Sequence, residues 1–352
     1  MARRNQSREA LMDQDRREFL KTTSLAGAAA AMTGATTLTI TPAQAQTQMP
    51  TQAMARGLAL ATLRRADGGY GLGLRTDNGI LDVIAAEADF RENAPTTITA
   101  MLNREGDASG LRRLAARAKA NAQAARYFVA EDKAQFGPCV THPEKIVCVG
   151  LNYRKHAAET GNPVPKQPIL FNKFNTALNH HGGSIAVSKE KAERFDYEAE
   201  LVIVIGRTAR NVSEADAPQH IFGYCTGNDF TARDLQSRSS QWMLGKSLDG
   251  SGVIGPWLIT SDLVDGDNLG ISLTVNGQKR QSSNTSDMVF NCKQLVSYIS
   301  DYMTLKPGDL IFTGTPEGVI SGYPKDKQVW LKAGDKLVTS IDKLGDQHLT
   351  LT

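Results

Sequence analysis

The sequence predicts a β-rich α+β fold, and three observations carry that prediction. From Lys145 to the C-terminus the apolar residues come in short runs broken by Gly, Pro and Asn, the pattern of strands and turns. Few stretches with helical spacing intervene, which argues against a doubly wound parallel sheet and for a sandwich or roll. One run, "FDYEAELVIVIG" (Phe195 to Gly206), becomes apolar on both faces, so it is covered from both sides.

The chain has 352 residues, 41% hydrophobic and 22% charged, with a net charge of +3. That suits a globular protein with one large domain and a smaller one. The near-neutral balance predicts neither nucleic-acid nor membrane-surface binding. Cys139, Cys148, Cys225 and Cys292 show no CxxC spacing, so a zinc knuckle or redox pair is not expected and buried free thiols are.

Residues 1–45 read as separate from the fold. "DRREFLK" (Asp15–Lys21) carries adjacent Arg16 and Arg17, a weakly apolar Ala/Thr/Gly-rich stretch follows, and "AQA" (Ala43–Ala45) ends it. This resembles a twin-arginine signal peptide. The resemblance implies export of the folded chain and a periplasmic or secreted location, and the stretch is too low in Leu, Ile and Val for stable membrane insertion. Residues 46–143 read as a small N-terminal α+β domain and 144–352 as a larger β-rich domain.

In order along the chain, residues 46–56 are polar and read as a linker. From Leu58 to Val83, "DGG" and "DNG" punctuate apolar runs as hairpin turns do. Within that stretch "GLGLRT" lacks the third glycine of a dinucleotide loop and reads as part of a hairpin. Leu111 to Tyr127, rich in Ala and Arg, predicts an exposed helix. Beyond Lys145, "KIVCVGLNY", "ELVIVIG", "GVIGPWLIT", "LGISLTVNGQKRQ", "DLIFTG" and "DKLVTSID" predict strands, and the NG of "TVNGQ" a tight hairpin. "LKPGDLI" and "LKAGDKL" read as one turn device used twice to launch a strand. Helices are expected from Ser213, capped by "SEAD", over Thr231–Gln236 and over Cys292–Met303. No repeat of solenoid length is visible.

Chemistry concentrates in five places. Glu198 and Glu200 share one strand face, where two neighbouring carboxylates demand an Arg or Lys, a shared proton or a cation between them. "GNDFTARDLQ" adds Asp229, with Arg233 and Gln236 at spacings that share a helix face; an N-cap with its ion pair is the plain alternative. Three carboxylates would form an all-oxygen site suited to Mg²⁺, Mn²⁺ or Ca²⁺ rather than zinc. His156 and Glu159 lie three apart in "GLNYRKHAAETGNP", where a carboxylate can orient an imidazole to accept a proton from water; a surface pair is the alternative. Lys246 reads as an isolated cation near the acids. In "FTGTPEGV" the backbone N–H groups and the Thr315 hydroxyl could cradle a carboxylate.

The order "GLNYxxHAxExG", "DYExEL", "GNDxTARDxQ", "GKSxD", "TGTPxGV" resembles the fumarylacetoacetate hydrolase family, from Lys145 to the C-terminus. The resemblance implies a mixed β-sandwich roll, a homodimer and a divalent cation, Mg²⁺ first, at Glu198, Glu200 and Asp229. It implies a water-activating dyad at His156 and Glu159, and substrate contacts at Lys246, Arg233, Gln236 and Thr315. The eukaryotic tyrosine-pathway enzyme has a further metal-binding Asp seven residues before its catalytic His; here that place is Val149, which points to the acylpyruvase-like branch. The expected reaction is hydrolysis of a carbon–carbon bond in a β-diketo acid such as an acylpyruvate or fumarylpyruvate. Decarboxylation or tautomerisation of oxaloacetate-like acids and diene-dioate isomerisation are the alternatives at the same site, and a dicarboxylate-binding receptor the alternative of another class.

Overall fold

The computed structural model describes residues 54–104 and 106–352, so the expected signal segment, 1–45, lies outside the described residues. The front segment supplies β1 (Ala59–Arg64), β2 (Tyr70–Thr76) and β3 (Gly79–Asp82), then α1 (Val83–Phe90), α2 (Ile98–Leu102), α3 (Ser109–Ala120) and β4 (Phe128–Val129). Next come β5 (Ile146–Gly150), α4 (Arg154–Glu159), β6 (Ile169–Lys173), β7 (Leu178–His180), β8 (Gly183–Ile185) and β9 (Phe195–Asp196). The middle holds β10 (Ala199–Ile205), β11 (Ile221–Asp229), β12 (Thr231–Ala232), α5 (Arg233–Gln236), α6 (Met243–Lys246), β13 (Gly252–Ile254) and β14 (Leu258–Thr260). The chain ends with β15 (Gly270–Val275), β16 (Gln278–Asn284), α7 (Cys292–Tyr302), β17 (Leu310–Phe312), β18 (Lys336–Ile341) and β19 (Gly345–Leu351).

A 12-stranded mixed sheet runs β4-β3-β2-β1-β14-β11-β10-β17-β5-β6, with β13 and β7 branching from β11. The front segment joins its edge through β1, antiparallel to β14. A five-stranded sheet, β16-β15-β18-β19-β8, packs over one face. Strand β10 is buried at every residue and sits between two cores. Ala199, Leu201, Ile203 and Ile205 enter the core shared with β15, β18, β19 and α7. Val202 and Val204 enter the core closed by α1 and α3. The period-two alternation therefore buries both rows, each large side chain contributing about 1.5–3 kcal/mol.

Local chemistry explains the ends of the elements. Asn276 and Gly277 both have positive φ (50° and 79°), the geometry of a two-residue hairpin turn between β15 and β16. Both strand-launching turns work alike: Asp309 accepts the Lys306 N–H and Asp335 the Lys332 N–H, while Gly308 and Gly334 take φ near 90° (90° and 91°). Helix α7 carries a reciprocal capping box, Asn291 with Gln294.

Three expected helices change. Ser213 and Asp216 do exchange capping bonds, but only a turn and a 3₁₀ helix, Ala217–His220, follow. The segment has Pro218 at its start and no apolar stripe to hold longer helix against the core. The expected helix at Leu111–Tyr127 is α3, which stops at Ala120 because Asn121 turns extended, and it buries Leu111, Leu114 and Ala118 rather than standing fully exposed. In the third, Thr231 and Ala232 form a strand with β9 and only Arg233–Gln236 is helical. Among the described residues no helix is long and apolar enough to cross a membrane.

Candidate metal centre and substrate pocket

The antiparallel register of β10 and β11 brings the acids together. Ala199 pairs with Asn228, and the Asp229 N–H donates to the Glu198 carbonyl at 2.9 Å. Glu198, Glu200 and Asp229 each offer a carboxylate oxygen, all within 4.8 Å of one another, and all three residues are buried. Glu198 just before β10, Glu200 within it and Asp229 at the end of β11 thus converge on one point.

Three cations balance them, Lys173 and Lys246 buried and Arg233 partly so. Lys246 Nζ, at the end of α6, lies 2.6 Å from Glu198 Oε2 and 2.9 Å from Asp229 Oδ2. Arg233 Nη1 lies 2.7 Å from Glu198 Oε1, and its Nε donates to Asp196 Oδ2 at 2.8 Å. Lys173 Nζ sits 2.6 Å from Asp229 Oδ1, an ion contact without hydrogen-bond alignment, while donating to Ser251 Oγ and the Lys246 carbonyl. Burial favours a neutral Glu198, but Lys246 and Arg233 outweigh it and lower its pKa. Burial likewise opposes the Lys246 ammonium, and Asp229 and Glu198 overcome it, raising its pKa.

Glu200 differs. Among the described residues its Oε2 accepts only the Gly314 N–H, at 2.8 Å, and it forms no ion pair. Burial, then the Asp229 and Glu198 charges, push its carboxyl well above the usual range. A buried carboxyl without a cation, facing two others, is the arrangement a hard divalent ion would complete. The donor set therefore fits Mg²⁺ or Mn²⁺, with Glu198, Glu200 and Asp229 as the residues to hold it.

His156 is 6% exposed on α4, and its Nδ1 lies 2.8 Å from Glu159 Oε1. The other Glu159 oxygen accepts the Gly318 N–H at 2.9 Å. The "TGTPEG" turn has N–H groups that could cradle a carboxylate, and the carboxylates that its Gly314 and Gly318 N–H groups hold are Glu200 and Glu159. Those two glutamates lie at depths where an unmet carboxylate is costly, so backbone donors serve them first. Thr315 Oγ1 accepts from Gln281 Nε2 at 2.9 Å and faces the pocket.

The pocket holds about 470 Å³, and its lining includes His156, Glu198, Glu200, Arg233, Gln236, Lys246 and Thr315. Phe171, Trp242 and Trp330 supply apolar walls, and Arg194 and Lys325 lie among its other residues. Every site residue expected from sequence thus borders this cavity except Asp229 and Glu159, which act on residues that do. Two expectations about local context change. Asp229 ends a strand, so it shares no helix face with Arg233 and Gln236, and Arg233 pairs with Asp196 and Glu198 instead. Nor does Asp229 cap α5, whose N-terminus has no side-chain cap.

Sequence reading missed Lys173 and Asp196. Asp196, fully buried, also accepts the Ile320 and Ser321 N–H groups, tying the Arg233 guanidinium to the loop beside Trp330. The signal was present in part: Asp196 opens the "DYExEL" motif.

Comparisons with known proteins meet this geometry. A family model described as the fumarylacetoacetate hydrolase C-terminal domain matches residues 145–352. An oxaloacetate tautomerase of Xenopus laevis mitochondria is 45% identical over 209 residues, spanning 58% of this chain and 65% of its own length. A fumarylpyruvate hydrolase from Pseudomonas aeruginosa, solved with Mn²⁺ and pyruvate, is 34% identical with a TM-score of 0.54, covering 62% of this chain and 91% of that one. A 2-hydroxyhepta-2,4-diene-1,7-dioate isomerase from Mycobacterium marinum is 27% identical with a TM-score of 0.62, covering 84% and 98%. Motif order, mixed sheet and family match over more than half of the chain agree, and the protein belongs to the fumarylacetoacetate hydrolase family.

Proposed function

We propose that the chain is a divalent-metal-dependent hydrolase that cleaves the carbon–carbon bond of a β-diketo acid of the acylpyruvate or fumarylpyruvate type. The observation that carries this reading is His156, buried and held by Glu159, facing the same pocket as Glu198 and Glu200. A cation at Glu198, Glu200 and Asp229, Mg²⁺ or Mn²⁺, would supply Lewis-acid stabilisation of charge on the keto acid's oxygens.

The chain's own residues supply the rest. Arg233 Nη2 is buried without a partner among the described residues, and it offers its N–H to the substrate carboxylate at the pocket. Glu159 accepts from His156 Nδ1, which leaves Nε2 as the acceptor of a water proton. The resulting hydroxide adds to the distal carbonyl carbon, and the adduct collapses with cleavage of the bond to the methylene. Its electron pair becomes the enolate of pyruvate, the second product being the carboxylic acid. The imidazolium returns its proton to the methylene carbon, and the charge of Lys246 favours the enolate before that transfer.

A second reading, keto–enol tautomerisation or isomerisation without bond cleavage, is favoured by the names of the Xenopus and Mycobacterium relatives. An assay with an acylpyruvate, fumarylpyruvate and oxaloacetate, each with Mg²⁺, with Mn²⁺ and with chelator, separates them. Metal-dependent release of pyruvate plus acid supports hydrolysis. Keto–enol interconversion with no cleavage product would replace it by the second reading.

The finer expectations belong to the same proposal: Mg²⁺ as native metal, a homodimer, 46–143 and 144–352 as separate domains, and twin-arginine export of the folded chain to the periplasm. N-terminal sequencing of the mature protein from a periplasmic fraction tests the last. A chain starting at Gln46 supports it, and an intact chain retained in the cytoplasm refutes it.

A further inference from the structure

A second cavity, of about 490 Å³, lies away from the catalytic residues between the start of the described chain and α7. Arg207 lines it and is 9% exposed. Its Nε and Nη2 are buried, and neither finds a hydrogen-bond partner among the described residues. These nitrogens form the side-on edge of the guanidinium, whose two parallel N–H groups match the two oxygens of one carboxylate. A buried guanidinium with that edge unfilled carries a desolvation cost that a carboxylate would offset.

Two further features of the lining narrow the ligand. Cys292 and Lys293 bring the N-terminal turn of α7 to the cavity, adding partial positive charge. Asp262, Asp265 and Asp267 also line it, each accepting a backbone N–H, from Gly57, Asp267 and Cys292 respectively. The three aspartates match Arg56, Arg207 and Lys293 in number, so the lining is neutral overall. A bare anion would face three carboxylates, whereas a zwitterion meets both signs. Met54, Ile221, Tyr224 and Val264 supply apolar wall.

We infer that this cavity binds an α-amino acid with an apolar side chain, its carboxylate on the Arg207 side-on edge and its ammonium toward the aspartates. It is a site separate from the keto-acid pocket.

The test is calorimetric titration of the full chain with L-leucine, 4-methylpentanoate, which lacks the ammonium, and isoamylamine, which lacks the carboxylate. The inference predicts that leucine binds at least about tenfold more tightly than either analogue. Arg207→Gln and Asp265→Asn should each weaken leucine at least about tenfold. Asp265→Asn keeps an oxygen for the Asp267 N–H, so it guards against a folding failure in Arg207→Gln. No leucine binding at tens of millimolar, or unchanged binding in the variants, overturns the site. Equal binding of 4-methylpentanoate overturns the zwitterion in favour of a plain anion.

Discussion

Replacing Lys173 by Met tests the electrostatic balance of the acidic centre. The Lys173 and Asp229 side chains are both fully buried and their charges lie 2.6 Å apart. Methionine keeps the length of the stem but removes the charge and the bonds to Ser251 and the Lys246 carbonyl. Breaking one partner from a buried pair costs about 3–5 kcal/mol. With about 2.1 cal/mol/K of unfolding entropy per residue over roughly 300 residues, that lowers Tm by about 5–8 °C. Around the centre, with Glu200 ionised, Asp196, Glu198, Glu200 and Asp229 outnumber Lys173, Arg233 and Lys246 by one charge. The variant deepens that excess, so Mn²⁺ should raise its Tm by more than it raises that of the unmodified protein. Differential scanning calorimetry with chelator and with Mn²⁺ reads both effects. A Tm change under about 1 °C in chelator, or an Mn²⁺ shift no larger than in the unmodified protein, would refute the reasoning.

Two other substitutions probe neighbouring parts. Burial and the charges of Asp229 and Glu198 raise the Glu200 pKa, so its contribution to metal-free stability is full below the unfolded value of about 4.3 and is lost as pH rises through the folded one. Glu200→Gln should therefore remove a decline in chelator-treated stability as pH rises above about 4.3; an identical slope in both proteins would count against it. Gly318→Ala places a Cβ far inside contact with the Arg280 carbonyl at a φ of 99°, straining the N–H that holds Glu159. It should cost about 1–3 kcal/mol of stability and about 10²-fold in kcat with less change in KM; steady-state kinetics showing only a KM effect would contradict that.

What the sequence made legible was whatever a short window encodes. The alternation that begins just before β10 placed Glu198 and Glu200 on one face and split the strand's apolar rows between two cores. Asn276-Gly277 named its own turn, and the paired "KPGD" and "KAGD" segments named theirs. The illegible parts depend on distant chain. Lys173 ends an edge strand, and nothing beside it indicates that its ammonium turns toward Asp229. The helical spacing from Asp229 to Gln236 carried no contact because β11 runs through Asp229, leaving Arg233 to find Asp196 and Glu198. The N–H groups of the "TGTPEG" turn were visible as donors, but their acceptors, Glu200 and Glu159, are tertiary neighbours. Ser213 shows the reverse failure: a true local cap with no core contact to extend the helix it starts.

The most direct test of the central claim separates water activation from metal binding at a single residue. His156 pairs with Glu159 and is not among the three carboxylates. In His156→Ala, Mn²⁺ affinity measured by calorimetry should stay within about twofold, while hydrolysis of an acylpyruvate should fall by about 10²–10⁴-fold, the usual contribution of a general base. Hydrolysis that persists unchanged in His156→Ala, with Mn²⁺ still bound, would contradict the account and place the tautomerase reading ahead of it.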